Sequence, residues 1–193
     1  MKKILFISTL FLSVMNFNAS AQKYGTETPE KFGRTLNVGA GIGYDGYNGY
    51  GGRPWSAISL NYEIDVARNI TLAPLIGFST YSNRYYWGNS HYPYQYYSYR
   101  ETNIILGVKG LYYFDELFHA GPKWDFYAGA SIGFNYHTTT WDYAYYGDQY
   151  IVYQSSPLYL AGHIGARFHI TQKVGLFLDL SSAFSTFGVS FKL

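Results

Sequence analysis

The chain has 193 residues, of which 48% are hydrophobic and 21% aromatic, while only 13% are charged. Globular proteins average about 25% charged residues, so this composition excludes a disordered or charge-driven binding protein. The absence of cysteine excludes a disulfide scaffold, thiol catalysis and thiolate metal sites, and a mean hydropathy of −0.14 argues against a bundle of membrane helices.

The N-terminus has the three parts of a secretory signal peptide. Two lysines precede the apolar residues 4–14, and residues 19–21 read Ala-Ser-Ala, the small-residue pattern of a cleavage site. We therefore expect residues 1–21 to be removed after export, so that the mature chain begins at Gln22.

The mature chain is then one domain with a short leader. Residues 22–33 are polar and aperiodic and are predicted to be a periplasmic leader, and residues 34–193 are predicted to form the folded domain. Without Lys2 and Lys3 the basic and acidic residues are equal in number. This neutral balance gives no general attraction to nucleic acid.

From Arg34 onward the hydrophobic pattern has a period of two, which is typical of β-strands. Eight such segments follow in chain order: 36–44, 58–65, 70–79, 101–113, 124–136, 158–170, 174–184 and 187–193. A tilted membrane strand needs about 9–11 residues, and most of the eight segments have that length. Strands of soluble proteins average about 5–6 residues.

The predicted connections alternate in length. Residues 45–54, 82–99 and 138–156 form long connections; residues 67–69 and 171–173 form tight turns, 115–123 is intermediate, and the last turn at 185–186 is short. Long loops at one end and short turns at the other are typical of an outer-membrane barrel, with both termini on the periplasmic side.

The two faces of the predicted strands indicate what each face meets. One face is large, apolar and nearly free of charge, as lipid requires, and the other is rich in Gly, Ser, Asn and Ala, which suit a narrow lumen. We therefore expect Leu106 to face hydrocarbon and a serine at position 107 to be tolerated in the lumen. Aromatic girdles are predicted at the short-turn end from Tyr112, Trp124, Phe126, Phe168 and Phe191, and at the other end from Tyr44, Phe78, Tyr136 and Phe184.

The sequence thus predicts an all-β fold, a closed antiparallel eight-stranded up-and-down transmembrane β-barrel. A soluble barrel of the lipocalin type is the structural alternative, with the apolar face inside. A closed barrel has no free edge, so we expect a monomer in the outer membrane of a Gram-negative bacterium, with outer-membrane lipid as its surroundings.

The last residues, 186–193, run Thr-Phe-Gly-Val-Ser-Phe-Lys-Leu. This segment resembles the terminal signal by which the barrel-assembly machinery recognises outer-membrane barrels, with Gly188, Phe191 and Leu193 at the matching positions. Together with the signal peptide, it makes residues 34–193 similar to the small OmpA/OmpX-like barrels, the porin-family or outer-membrane β-barrel type. The resemblance implies fold and location, and it implies the assembly machinery as a partner during biogenesis.

Six charged residues are predicted on the lumen face. Three are acidic and three basic: Glu63, Asp125, Asp179, Lys109, Arg167 and Lys192. Buried charges must be paired, so we interpret this set as a neutral salt-bridge plug, in which Arg167 pairs with Asp179 or Glu63. A gated path for protons or small ions is the alternative.

The long connections are rich in tyrosine, with the serine, glycine and asparagine that also mark antibody paratopes. The predicted contact residues are Tyr85, Tyr86, Trp87, Tyr94, Tyr96, Tyr97, Trp141, Tyr143, Tyr145 and Tyr146. They indicate a surface that binds an extracellular protein or glycan. Strands that extend beyond the membrane, with tyrosine as a strand former, would explain the same composition.

No motif for catalysis, a cofactor or a metal ion stands out. His163 and His169 lie on one predicted strand, too far apart to share a metal ion, and the G-x-G-x-x-G spelling at 41–46 opens no helix. We expect a structural or surface-interaction protein that is not an enzyme; a narrow channel for small or apolar solutes is the alternative, and a lipid-modifying enzyme of the outer leaflet is a weaker one.

Overall fold

The computed structural model describes residues 32–43, 55–115, 121–141 and 157–193. They form eight strands, which are β1 (Thr35–Gly43), β2 (Trp55–Ala67), β3 (Ile70–Trp87), β4 (Gln95–Tyr113), β5 (Trp124–Trp141), β6 (Leu158–His169), β7 (Val174–Ser181) and β8 (Phe184–Lys192). Every strand pairs antiparallel with its sequence neighbours, and β1 also pairs with β8, which closes the barrel. The predicted fold class is confirmed.

The described residues include no helix that is long and apolar enough to cross a membrane.

The two ends of the barrel differ. At one end, called the short-turn end, lie the tight connections after β2 and β6 and both termini of the barrel, where Thr35 pairs with Lys192. Asn69 in the first of these turns has a φ of 62°, a conformation that asparagine tolerates. The other end, called the long-loop end, carries the connections after β1, β3, β5 and β7. Of these, residues 44–54 and 142–156 lie outside the described part.

The outer surface of the barrel is an apolar belt. Large side chains at alternating strand positions point outward and are exposed, reaching 63% at Leu160 and 73% at Phe134. Aromatic side chains border this belt: Tyr112, Trp124, Phe126, Phe168 and Phe191 lie toward the short-turn end, with Phe78 and Tyr136 toward the long-loop end. The predicted girdle residue Tyr44 lies outside the described residues.

The interior is less uniformly polar than the sequence predicts. Phe184, assigned to the outer girdle, is buried inside and packs with Leu75, Ile105 and Tyr159. The reason is local: β7 ends at Ser181 and β8 begins at Phe184, so the turn at 182–183 resets the alternation. The prediction of a turn at 185–186 is wrong for the same reason, because the turn lies at 182–183.

Two predicted loops are also too long. The segment 82–99 is mostly strand, because β3 continues to Trp87 and β4 begins at Gln95, leaving a turn of 88–94. Likewise β5 continues to Trp141, three residues beyond the predicted start of its loop. Strand pairing holds to the tip, where Trp87 is opposite Gln95.

Gly107 has no space for a side chain. An ideal Cβ at this position would lie 2.5 Å from the carbonyl oxygen of Ile132 on β5. The expectation that a serine is tolerated there is therefore wrong, because glycine at this point permits close approach of two strands.

Candidate functional site

Arg167 on β6 is the centre of a buried polar cluster near the short-turn end. Its guanidinium donates to Glu63 Oε1 at 2.6 Å and approaches Asp125 Oδ2 at 3.5 Å. It also donates to Asn37, Tyr113 and Ser190. Since Glu63 is on β2, this single side chain spans the lumen and connects opposite walls of the barrel.

The acidic partners of Arg167 have further donors. Glu63 accepts from Asn37 Nδ2 at 2.6 Å and from the Tyr113 hydroxyl. Asp125 accepts from His169 Nε2 at 2.6 Å. Both carboxylates are buried, and this density of donors is what a buried charge requires.

A second cluster lies one level toward the middle of the barrel, around Asp179 on β7. Lys109 donates to Asp179 Oδ2 at 2.6 Å, and Tyr127 donates to the same oxygen at 3.1 Å. His163 Nδ1 lies 2.7 Å from the other carboxylate oxygen, and its Nε2 lies 2.8 Å from the hydroxyl of Ser131. Because a carboxylate only accepts, Nδ1 carries a proton.

Aromatic and apolar side chains lie at either end of these two clusters. On the short-turn side Phe32, which precedes β1, is buried and stacks on the Tyr113 ring, with centroids 3.9 Å apart. Toward the long-loop end, Leu75, Ile105, Tyr159 and Phe184 form a layer of buried side chains. Side chains therefore occupy the lumen from Phe32 at the short-turn end to the layer that contains Phe184, as expected for eight strands.

Five of the six predicted lumen charges belong to these clusters. Lys192 is half-buried at the end of β8, opposite Thr35 at the short-turn end. Of the two partners expected for Arg167, Glu63 is in contact, whereas Asp179 pairs with Lys109 and His163.

Sequence reasoning missed the two histidines as partners of the acids. Both face inward on β6, and the register makes each one a diagonal neighbour of its acid: Asp179 is opposite Gly165, and Asp125 is opposite Arg167. Diagonal neighbours are within reach of long side chains. The alternation on β6 was visible in the sequence, but the register was not.

Ser131, His163 and Asp179 have the connectivity of a hydrolase triad. The serine hydroxyl contacts Nε2, and the carboxylate contacts Nδ1. The serine is 3% exposed and lies between Lys109 on β4 and Ala161 on β6. A substrate carbonyl would need to reach about 3 Å from the hydroxyl oxygen, whereas Ser131 is buried among the described residues.

Beyond the apolar belt, strands β3, β4 and β5 continue as a three-stranded sheet, here called the blade, which comprises residues 79–87, 95–103 and 137–141. On its outer face the aromatic side chains of Tyr86, Tyr94 and Tyr96 are exposed, with the last two at 66% and 67%. Tyr86 contacts both others, with ring centroids 6.0 and 5.0 Å apart. This trio stands at the tip of the blade.

The inner face of the blade, which is continuous with the lumen wall, has a second aromatic group. Trp141 lies against Tyr99, with centroids 5.0 Å apart, and against Tyr85 at 6.0 Å in an edge-on arrangement. Trp87 contacts Tyr97 in the same way. The blade thus presents aromatic rings on both sides.

The predicted contact residues divide between these places. Seven lie on the blade or its tip, on the inner face at 85, 87, 97 and 141 and on the outer face at 86, 94 and 96. Tyr143, Tyr145 and Tyr146 lie outside the described residues. Most of the seven are in strands rather than in a loop.

The residues of the predicted assembly signal lie on β8 and at the end of the chain. A Cβ on Gly188 would lie 2.0 Å from the carbonyl oxygen of Val38 on β1, so a side chain here would force a shift of the backbone where β1 and β8 close the barrel. Phe191 points outward, and the backbone N–H of Leu193 donates to the carbonyl of Arg34 at 2.8 Å.

No protein-family model matches the chain, and no curated protein matches its sequence. Among solved structures the chain is similar to a de novo designed transmembrane β-barrel, with 15% identity over 86% of this chain and 100% of the designed one and a TM-score of 0.48. It is also similar to Neisserial surface protein A, at 15% identity over 82% and 95% of the two chains with a TM-score of 0.48. The attachment invasion locus protein Ail of Yersinia pestis shares 10% identity over 81% and 94%, with a TM-score of 0.41.

At these identities the likeness concerns the fold alone. The closed register and the outward apolar belt independently define that fold. The chain has the architecture of the small eight-stranded transmembrane β-barrels.

Proposed function

We propose that the chain is an integral outer-membrane barrel with a closed lumen, and that it acts at the cell surface through the aromatic blade. The observation that carries this proposal is the blade itself, since β3 and β4 continue well past the apolar belt and end in exposed tyrosines. Tyrosine gives a large, rigid contact area at low entropic cost.

The apolar belt supports insertion in a membrane. Ile132, Phe134, Leu160 and Ile164 lie on β5 and β6, and each has more than half of its surface exposed. Monomeric soluble proteins rarely expose a contiguous apolar patch larger than a few hundred Å². Lipid on this face removes that surface from water, whereas a lipocalin-type barrel would require it inside.

The proposal also includes export through a cleaved signal peptide. The inserted barrel is oriented with its short-turn end toward the periplasm. Residues 1–31 lie outside the described part, so support comes from the sequence pattern. N-terminal sequencing of the protein from outer-membrane fractions should begin at Gln22. Retention of Met1 would contradict the proposed export.

The filled lumen argues against the alternative of a channel. The buried side chains around Arg167 and Asp179 span the interior of the described barrel, and the lumen of an eight-stranded barrel is only just wide enough for side chains. Purified protein in a planar bilayer should therefore give no steady conductance steps. A large and steady conductance would contradict the closed lumen.

We propose further that the chain is not an enzyme and that the contacts among Ser131, His163 and Asp179 are structural. A fluorophosphonate probe labels serine nucleophiles that are activated and accessible. Intact protein in bilayers should remain unlabelled, because Ser131 is buried. Labelling that is lost in Ser131→Ala would overturn this proposal.

Surface contact is tested by shortening the blade. Residues 84–98 can be replaced by an Asn-Gly turn between Asn83 and Tyr99, which are paired in the register. The barrel below should still fold, because the belt and lumen clusters are unchanged. Nanodisc protein should bind at least one target on arrays of extracellular proteins and oligosaccharides, and the shortened variant should not. Equal binding by both proteins would refute the proposed role of the blade.

A further inference from the structure

Two arginines are exposed on the outer face of the blade, beyond the apolar belt. Arg100 on β4 lies opposite Ser82 on β3 and Thr140 on β5, and all three side chains point outward and are exposed. Arg84 on β3 lies opposite Ser98, which makes it a diagonal neighbour of Arg100 on the same face. Diagonal neighbours are about 7–8 Å apart and within reach of long side chains, so both guanidinium groups can contact one anion.

The outer face of the blade is positively charged. Within the described part of the blade no outward position is acidic, and Glu101 is buried on the inner face. Two like charges close together on one face repel each other, and a bound anion offsets that repulsion. Arg84 has a further interaction within the chain, so Arg100, with its two flanking hydroxyl groups, is the stronger candidate for the main contact with an anion.

The height of the two arginines above the belt indicates what kind of anion reaches them. The last row of the belt consists of Phe78, Ile104 and Tyr136, which are opposite one another in the register. Arg100 is four residues beyond Ile104 on β4, and Arg84 is six residues beyond Phe78 on β3. At about 3.4 Å per residue and a strand tilt of about 40°, they lie roughly 10 and 16 Å above that row.

A phospholipid headgroup is too short for this height. The polar layer of a bilayer is about 5–8 Å deep on each side, so an extended Arg100 side chain only just reaches a phospholipid phosphate and Arg84 does not. A glycolipid with phosphorylated sugars carries its phosphate groups further from the hydrocarbon. Such a lipid lies beside the blade when its acyl chains contact the belt, because the two surfaces are continuous along β3, β4 and β5.

We infer that the outer face of the blade binds the phosphorylated sugar headgroup of an outer-leaflet glycolipid. The Arg100 guanidinium donates to a phosphate group, the hydroxyls of Ser82 and Thr140 donate beside it, and Arg84 supplies a second positive charge. The inference rests on the proposed insertion in the outer membrane. It goes beyond the proposed surface function, because the lipid occupies the outer face and needs no partner at the tip of the blade.

The test uses the full chain in phosphatidylcholine nanodiscs that contain one added lipid at a time. The added lipids are lipopolysaccharide with a short sugar chain, the same lipopolysaccharide after chemical removal of its phosphates, and phosphatidylglycerol as a small anionic headgroup. Native mass spectrometry counts the lipids that stay on the protein, and titration of the lipid fraction gives an apparent affinity. We expect lipopolysaccharide to bind at least about tenfold more tightly than the other two, and less tightly as salt screens the exposed charges.

Substitutions of the two arginines locate the site. Arg100→Gln should weaken lipopolysaccharide binding about fivefold, as expected for one basic residue near an anionic surface. Arg84→Gln should have an equal or smaller effect, and the double variant should lose more than either. Arg100→Lys should keep part of the affinity, because the charge remains while the planar fork is lost.

Lys123→Gln is the matched control. It also removes one exposed positive charge, but at the short-turn end of the barrel, and it should change lipopolysaccharide binding less than twofold. The shift between boiled and unboiled protein on a denaturing gel shows whether each variant has folded.

Four results would overturn the inference. They are the absence of lipopolysaccharide binding, equal binding of lipopolysaccharide with and without its phosphates or of phosphatidylglycerol, unchanged binding by the double variant, and an equal loss in Lys123→Gln, which would show a general attraction of anions. If the unmodified protein binds a target on the arrays but retains no lipopolysaccharide, the surface function stands and the phosphate site falls. If it retains lipopolysaccharide through the two arginines but binds no array target, the site stands and the surface function falls.

Discussion

Replacing Arg167 by alanine tests the lumen cluster most severely. The substitution removes the cation that lies 2.6 Å from Glu63 and 3.5 Å from Asp125, in a side chain that is 2% exposed. Asp125 keeps His169 at 2.6 Å, but Glu63 keeps only the neutral donors Asn37 and Tyr113 among its contacts described here. The cost should therefore come mainly from Glu63.

The expected loss of unfolding free energy is about 3–5 kcal/mol, the range for breaking a buried ion pair by removing one partner. Urea titration in lipid vesicles, followed by tryptophan fluorescence, measures it. Adding Glu63→Gln to Arg167→Ala should restore part of the loss, because the orphaned charge is removed, with a coupling of about 0.5–3 kcal/mol. Arg100→Ala is the matched control on the exposed blade and should cost less than about 1 kcal/mol.

Strictly additive single and double variants would refute this assignment of the cost. An Arg167→Ala variant that is as stable as the Arg100→Ala control would also refute it. The buried arginine would then contribute no more to the unfolding free energy than a solvated arginine does.

Three further predictions concern the walls and the ends of the barrel. Leu160→Arg should cost about 2–4 kcal/mol in bilayers, measured by the same titration, whereas Leu160→Phe should be nearly neutral. Gly107→Ser should be destabilising by about 1–3 kcal/mol, because its Cβ would meet the carbonyl of Ile132; a neutral result would show that β4 and β5 separate easily there. Phe32→Ala should lower the unfolding free energy, because the stack on Tyr113 is lost, but the variant should still show no conductance in a bilayer. A conducting variant would show that Phe32 alone closes the lumen.

The sequence was sufficient for the strand number and for most inward and outward positions. The reason is that alternation with a period of two is a local property, as for Asp125 and Arg167, which were correctly assigned to the lumen. Phe184 was assigned wrongly because a two-residue turn separates it from β7. Alternation cannot be carried through a turn whose length is unknown.

The contacts within the lumen could not be predicted in the same way. Arg167 meets Glu63 across 104 residues of chain, and the relative height of two strands on opposite walls depends on the register of every pair between them. The blade was underestimated for a different reason. Its tyrosines suit both loops and strands. Cross-strand pairs such as Tyr86 with Tyr96 show that the segment is strand, but these pairs can be identified only when the register is known.

Transmembrane insertion through the outer belt is the central claim, and a nitroxide label at Leu160→Cys tests it most directly. The chain has no cysteine of its own, so a single label reports one position. In bilayers this label should collide freely with oxygen and be shielded from a water-soluble nickel chelate, whereas a label at Tyr96→Cys should show the reverse. A Leu160 label that is as accessible to the nickel chelate as the Tyr96 label would contradict the account, because the apolar belt would then not lie in lipid.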